Sequence, residues 1–108
     1  MSEHFNKLSP GEAERLAILA EECAEVIQVI GKILRHGYDS YNPFDDTKQT
    51  NRSLLEKECG DISAAQQMLA NHDDIRLTAV AQWRERKLIN VKKYTHHQDS
   101  LHRNGSRK

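Results

Sequence analysis

Apolar residues recur at helical spacing from the start of the chain. Leu16, Leu19, Ala20, Cys23, Ile27, Ile30 and Leu34 follow one another three or four positions apart, the period of an amphipathic helix. Ser9-Pro10-Gly11-Glu12 before them matches a capping box with proline in the first turn, and Leu8 stands where a hydrophobic staple would. Arg35 and His36 suit the negative end of a helix, and Gly37 supplies a stop. The pattern predicts a first helix over Pro10–His36. Gly31 inside it costs roughly 1 kcal/mol against alanine and can mark a kink.

Residues 38–52, rich in Asp, Thr and Asn and holding Asn42-Pro43, read as a connection. At about fifteen residues it is long for a compact domain, and long loops often carry function. Ser53-Leu54-Leu55-Glu56 is a second capping-box match. It opens a helix over 53–71 through Leu55, Ile62, Ala65, Met68 and Leu69. Residues 71–74 form a turn in which Asp73 or Asp74 can cap a third helix over 75–94, with Leu77, Val80, Ala81, Leu88 and Val91 as its stripe. The polar tail 95–108 has no apolar period and reads as disordered. No strand pair and no internal repeat is visible. The expected fold is therefore all-α, an antiparallel helical bundle over 1–94.

Composition narrows the class. The 108 residues are enough for one domain with a modest core; they are 37% apolar and 30% charged. Three amphipathic helices leave apolar surface over, so a homo-oligomer is expected to complete the core. Sixteen basic and sixteen acidic side chains give zero net charge, which argues against a nucleic-acid partner. No apolar run reaches the ~20 residues of a membrane span, and no signal peptide opens the chain, so a cytoplasmic location is expected. Cys23 and Cys59 form no C-x-x-C pair and read as small buried residues. His96, His97 and His102 lie in the polar tail and read as uncoordinated.

The charges are unevenly placed: acidic residues gather at 12–25 and 56–61, basic ones at 84–93. Glu22 and Glu25 share one helix face, as do Glu58 and Asp61, and each pair borders an apolar stripe. If the two helices pack antiparallel, four carboxylates converge. Such a cluster must protonate in part or hold a cation, and hard oxygen ligands suit Mg²⁺ or Mn²⁺. Acidic runs on helices are also commonly solvated faces, so spacing alone leaves both readings open. Arg86, Asn90 and Lys93 fall on one helical face and read as a phosphate clamp or as a solvated basic face. Trp83 can stack on a base or simply pack, and Lys32 can reach a phosphate or remain a surface lysine.

Glu21-Glu22-x-x-Glu25 followed by Glu58-x-x-Asp61 resembles the E-E-x-x-E…E-x-x-D signature of the MazG-like all-α nucleotide pyrophosphohydrolases. The segment from Leu55 to Ile62 resembles that family's E-L-G-D-[VI] block, with Cys59 in place of an aliphatic residue. Asn90-Val91-Lys92-Lys93-Tyr94 resembles its N-x-x-[KR]-Y segment. The similarity runs over about 16–94, with the motifs in the family's order; the 38–52 connection departs from its short turns. The resemblance implies Mg²⁺-dependent hydrolysis of a nucleoside triphosphate to monophosphate and pyrophosphate. It implies Glu22, Glu25, Glu58 and Asp61 as metal ligands, with Glu21 behind them or orienting water. Asn90 and Lys93 would contact phosphates, with Tyr94 nearby and Arg86 or Lys87 as a further contact. It also implies a homodimer or homotetramer. Two other readings stay open: a phosphoribosyl-ATP or alarmone-type hydrolase on the same scaffold, and a non-catalytic helical interaction module.

Overall fold

The computed structural model describes residues 5–98. Among them it contains three α-helices and no strand. The chain divides into two compact units, Met1–Leu77 and Thr78–Lys108. No helix among the described residues is long and apolar enough to cross a membrane.

Helix α1 spans Pro10–His36, with the bounds the sequence predicts. Its capping box is formed: Glu12 N–H donates to Ser9 Oγ at 3.1 Å, and Ser9 N–H donates to Glu12 Oε1 at 2.8 Å. Gly37 ends the helix at φ 88°, where its N–H reaches Ile33 O at 2.7 Å. A side chain at that φ would be strained, so glycine is required there.

Helix α2 spans Asn51–Asn71, starting two residues before the predicted Ser53. Its N-cap is Thr50, whose Oγ1 accepts the Ser53 N–H at 3.1 Å. The early start has a tertiary cause. The connection folds back so that Asn51 N–H and Arg52 N–H donate to Ser40 O and Tyr38 O, both at 2.9 Å. These bonds satisfy first-turn donors that a helix normally leaves unpaired. Ser53 Oγ instead accepts from Gln49 Nε2. The connection is thereby tied down. An isolated antiparallel bridge joins Tyr41 to Thr50, and the Arg52 guanidinium bonds Asp39 at 3.1 Å and covers the Tyr38 ring at 4.6 Å.

Asp73 and Asp74 do not cap the next helix, contrary to the sequence expectation. They close α2. Asp73 adopts φ 63°, Asp73 N–H donates to Ala70 O at 3.1 Å, and Asp74 N–H donates to Leu69 O at 2.9 Å. This is a Schellman termination with aspartate in the left-handed position. The Asp74 carboxylate grips Arg15 in a bidentate pair, at 2.6 Å to Nε and 3.1 Å to Nη2. The pair joins the end of α2 to the beginning of α1, while Asn51 Nδ2 donates to Gly37 O at 3.1 Å at the opposite end. The two helices are therefore antiparallel.

Val29, Ala65 and Leu69 form the buried core of the pair. Here the sequence expectation for α1 is corrected. Of the seven residues of the predicted stripe only Leu19 is sheltered; Leu16, Ala20, Cys23, Ile27, Ile30 and Leu34 are exposed. The face turned to α2 runs through Arg15, Ile18, Glu22, Glu25, Val26, Val29 and Ile33. It keeps the helical period but is interrupted by charge. On α2 the expectation fares better, since Ala65 and Leu69 are buried and Leu55 and Ile62 half-buried, although Met68 is exposed.

Helix α3 spans Leu77–Asn90, all but its first residue in the second unit, and a 3₁₀ turn follows over Val91–Tyr94, where the sequence predicts one continuous helix. Tightening of this kind is common at helix C-termini. None of its expected stripe is buried: Val80 and Val91 are half-buried, and Leu77, Ala81 and Leu88 exposed. The Arg86 guanidinium lies over the Trp83 ring at 4.7 Å. His96 and His97 stand edge to face with centroids 6.5 Å apart. His102 and tail residues 99–108 lie outside the described residues.

Candidate metal centre

Antiparallel packing of α1 on α2 sets the two carboxylate pairs opposite each other. Glu22 and Glu25 are one turn apart on α1, and Glu58 and Asp61 one turn apart on α2. One carboxylate oxygen from each of the four falls within 4.8 Å of the others. Glu58 is 8% exposed, and the other three are half-buried. Among the described residues this is the one grouping of such side chains close enough to hold a metal ion.

The donor set suits a hard cation. Glu22 Oε2 and Glu58 Oε2 are buried and accept no hydrogen bond. A buried carboxylate oxygen without a donor is costly to keep ionised, and a cation removes that cost. An all-oxygen donor set is the kind that hard divalent cations take.

The electrostatics agree. Burial raises the Glu22 carboxyl above its ordinary 4.5, with further contributions from the Asp61 and Glu58 charges. Burial also raises Glu58, followed by a hydrogen bond with Glu25 that favours its protonated form. Without a cation, Glu22 and Glu58 thus hold their protons to higher pH than free glutamates do. Lys57 partly compensates: its ammonium lies 2.9 Å from Asp61 and 3.5 Å from Glu58. The sequence reading missed Lys57, although its i, i+4 spacing to Asp61 was visible. It also missed the Arg15–Asp74 clamp, for which no local signal exists because the partners are 59 residues apart.

Glu21 is exposed and outside the four-carboxylate group. Cys23 and Cys59 are exposed free thiols, not buried packing residues; each neighbours a cluster carboxylate in sequence but points away from the packed face. Arg86, Asn90, Lys93 and Tyr94 belong to the second unit. There Asn90 ends α3 and Lys93 and Tyr94 lie in the 3₁₀ turn that follows. Asn90 is half-buried, and Arg86, Lys93 and Tyr94 are exposed.

The family model of the MazG nucleotide pyrophosphohydrolase domain matches residues 11–96, a span that takes in all three helices and the four carboxylates. No curated protein and no solved structure matches the chain. The chain belongs to the MazG nucleotide pyrophosphohydrolase family.

Proposed function

We propose that this MazG-family chain hydrolyses a nucleoside triphosphate, ribo or deoxyribo, to the monophosphate and pyrophosphate, with Mg²⁺ held by Glu22, Glu25, Glu58 and Asp61. The observation that carries this reading is the four-carboxylate cluster with two buried oxygens that lack any donor. When bound, Mg²⁺ supplies charge neutralisation for phosphate oxygens and a bound water acidic enough to serve as nucleophile.

The chain's own groups prepare that chemistry. Glu22 and Glu58 bind a cation in their ionised form, so metal binding competes with protons over the range in which burial raises their titration. Lys57 has to swing off Asp61 as positive charge enters the cluster. Its stem is long and half exposed, so the movement is easy. Glu21, on the family resemblance, stands behind the ligands or orients the water. On the family resemblance alone, Arg86, Asn90, Lys93 and Tyr94 are assigned to phosphate binding, where fixed cations offset charge on the departing pyrophosphate. The open apolar stripe of α1 supports a homodimer or homotetramer as the working form.

The test is pyrophosphate release across a panel of dNTPs, NTPs, phosphoribosyl-ATP and an alarmone, with and without Mg²⁺. Turnover of plain triphosphates supports the reading, and turnover confined to either special substrate moves it to that class. If no nucleotide is turned over and Mg²⁺ leaves the melting temperature unchanged, the chain is a helical interaction module and the catalytic reading is wrong.

A further inference from the structure

A second concave site lies within the first unit, between the last turns of α1 and the start of α2. Its volume is about 530 Å³, within the range of small-molecule sites. Lys32, Arg35 and His36 line one side of it. None of the three makes a hydrogen bond or ion pair with another side chain among the described residues. The one carboxylate in the wall, Asp45, is already engaged. Its Oδ1 accepts both the Thr47 N–H at 3.0 Å and the Thr47 hydroxyl at 2.9 Å, which holds the carboxyl below its ordinary value. Asp45 stays anionic, so Lys32 and Arg35 outnumber it by one and the wall carries net positive charge. Tyr41, Pro43 and Leu54 provide a partly apolar opposite side.

Two features separate this site from ordinary helix-end decoration. Arg35 and His36 in the last turn of α1 do complement the helix dipole. Lys32, however, stands a turn earlier, and all three, though exposed, line one cavity. The α2 N-terminus adds its field, but its first-turn amides are committed to Ser40 O, Tyr38 O and Thr50. Recognition must come from the three side chains. Lys32 and Arg35 follow Glu25 by seven and ten residues, which places them about 10 and 15 Å further along the helix axis. None of the four carboxylates lines the cavity.

We infer that this cavity binds a phosphoryl group carried on a small molecule of nucleotide size, at a site separate from the four carboxylates. A neutral nucleobase would leave two permanent cations and an imidazole without partners, whereas a phosphate dianion satisfies them. The phosphoryl group has two sources: a second phosphate on the substrate, distal to the triphosphate, or a free phosphorylated effector. The site itself stands without the catalytic reading; only the first source rests on it.

Calorimetry on the metal-free full-length protein, with adenosine 3′,5′-bisphosphate as probe, tests the site. Saturable one-to-one binding is expected, weakened at least about tenfold by Lys32→Gln or Arg35→Gln and unchanged by Asp61→Asn. The two glutamine variants alter exposed side chains, and unchanged circular dichroism verifies that they fold. Absence of saturable binding, or wild-type affinity in both glutamine variants, overturns the inference. Pyrophosphate release then separates the sources. A distal substrate phosphate gives a 3′-phosphorylated triphosphate a lower KM than the plain one, a preference that Arg35→Gln removes. A free effector instead lets the bisphosphate change the rate on plain triphosphate without competing with it. A chain that binds the probe but turns over no nucleotide leaves the site standing and refutes only the hydrolase reading.

Discussion

The Lys57 ammonium lies 2.9 Å from an Asp61 carboxylate oxygen, beside the group of four carboxylates. The lysine therefore competes with any cation that enters. Lys57→Gln is expected to tighten Mg²⁺ binding on the order of threefold to tenfold, because a like charge near the ion is removed. The same change should lower the melting temperature of the metal-free protein. Calorimetric Mg²⁺ titration and melting in EDTA measure the two effects. Mg²⁺ affinity that falls or stays level would show that Lys57 does not oppose the ion.

Asp61→Asn should leave the protein folded and reduce turnover by at least about 100-fold, the scale on which perturbed metal sites lose activity. Asparagine keeps the shape and removes the anionic ligand. Metal-free stability should hold, since an exposed lysine pair is worth little and repulsion within the cluster falls. Pyrophosphate release and melting curves, each with and without Mg²⁺, make the comparison. Wild-type turnover in this variant would remove Asp61 from the ligand set.

The pH dependence of stability follows from opposed shifts. Glu22 and Glu58 titrate above their ordinary 4.5, so the folded protein binds more protons than the unfolded chain just above that pH. Metal-free stability therefore declines as pH rises from 4.5 through the raised values. Asp74 acts in the other direction. Its hydrogen bond with Arg15 lowers it below 3.8, so the stability it contributes is present above that value and is lost as pH falls further. Metal-free protein is thus expected to be more stable near about pH 5 than near about pH 7.5, and saturating Mg²⁺ should remove or reverse the difference. Denaturant melts in EDTA and in Mg²⁺ provide the check.

Leu69 is 2% exposed and packs in the small core shared by the two helices. Leu69→Ala should cost about 2–5 kcal/mol. In a core with so few buried residues, that loss should unfold much of the population at moderate denaturant. A cost under about 1 kcal/mol, the level of surface substitutions, would mean that the α1–α2 pair is not the stabilising unit.

The α1 bounds were legible because both of their signals are local: the Ser9–Glu12 box and the stop at Gly37. The start of α2 was not, since its first-turn amides are satisfied by carbonyls of a folded-back loop rather than by a neighbouring side chain. The buried face of α1 was misread for an instructive reason. Two stripes of helical period run along that helix, and the more apolar of them is the exposed one. The packed stripe carries Arg15, Glu22 and Glu25, so apolar count alone selects the wrong face. The convergence of the four carboxylates was nonetheless readable, because it depends only on i, i+3 spacing and antiparallel pairing. The fold-back cavity at Lys32 and Arg35 was not, because its walls come from a connection without periodicity.

The exposed stripe leads to the last prediction. Leu16, Ala20, Cys23, Ile27, Ile30 and Leu34 alternate in steps of four and three, the seam spacing of paired helices. Ile27 is 69% and Leu34 82% exposed, and the chain has only three buried hydrophobic residues of its own among those described. Burying this seam against a second copy would remove apolar surface from water and leave the carboxylate face untouched, since that face is turned to α2. The chain is therefore expected to sediment as a dimer or tetramer at micromolar concentration. Ile27→Glu combined with Ile30→Glu places two charges in the middle of the seam and should shift it to monomer. Helicity would be largely retained, because neither residue belongs to the α1–α2 core. A wild-type monomer at micromolar concentration rules the assembly out. A double variant that remains oligomeric moves the interface to another surface.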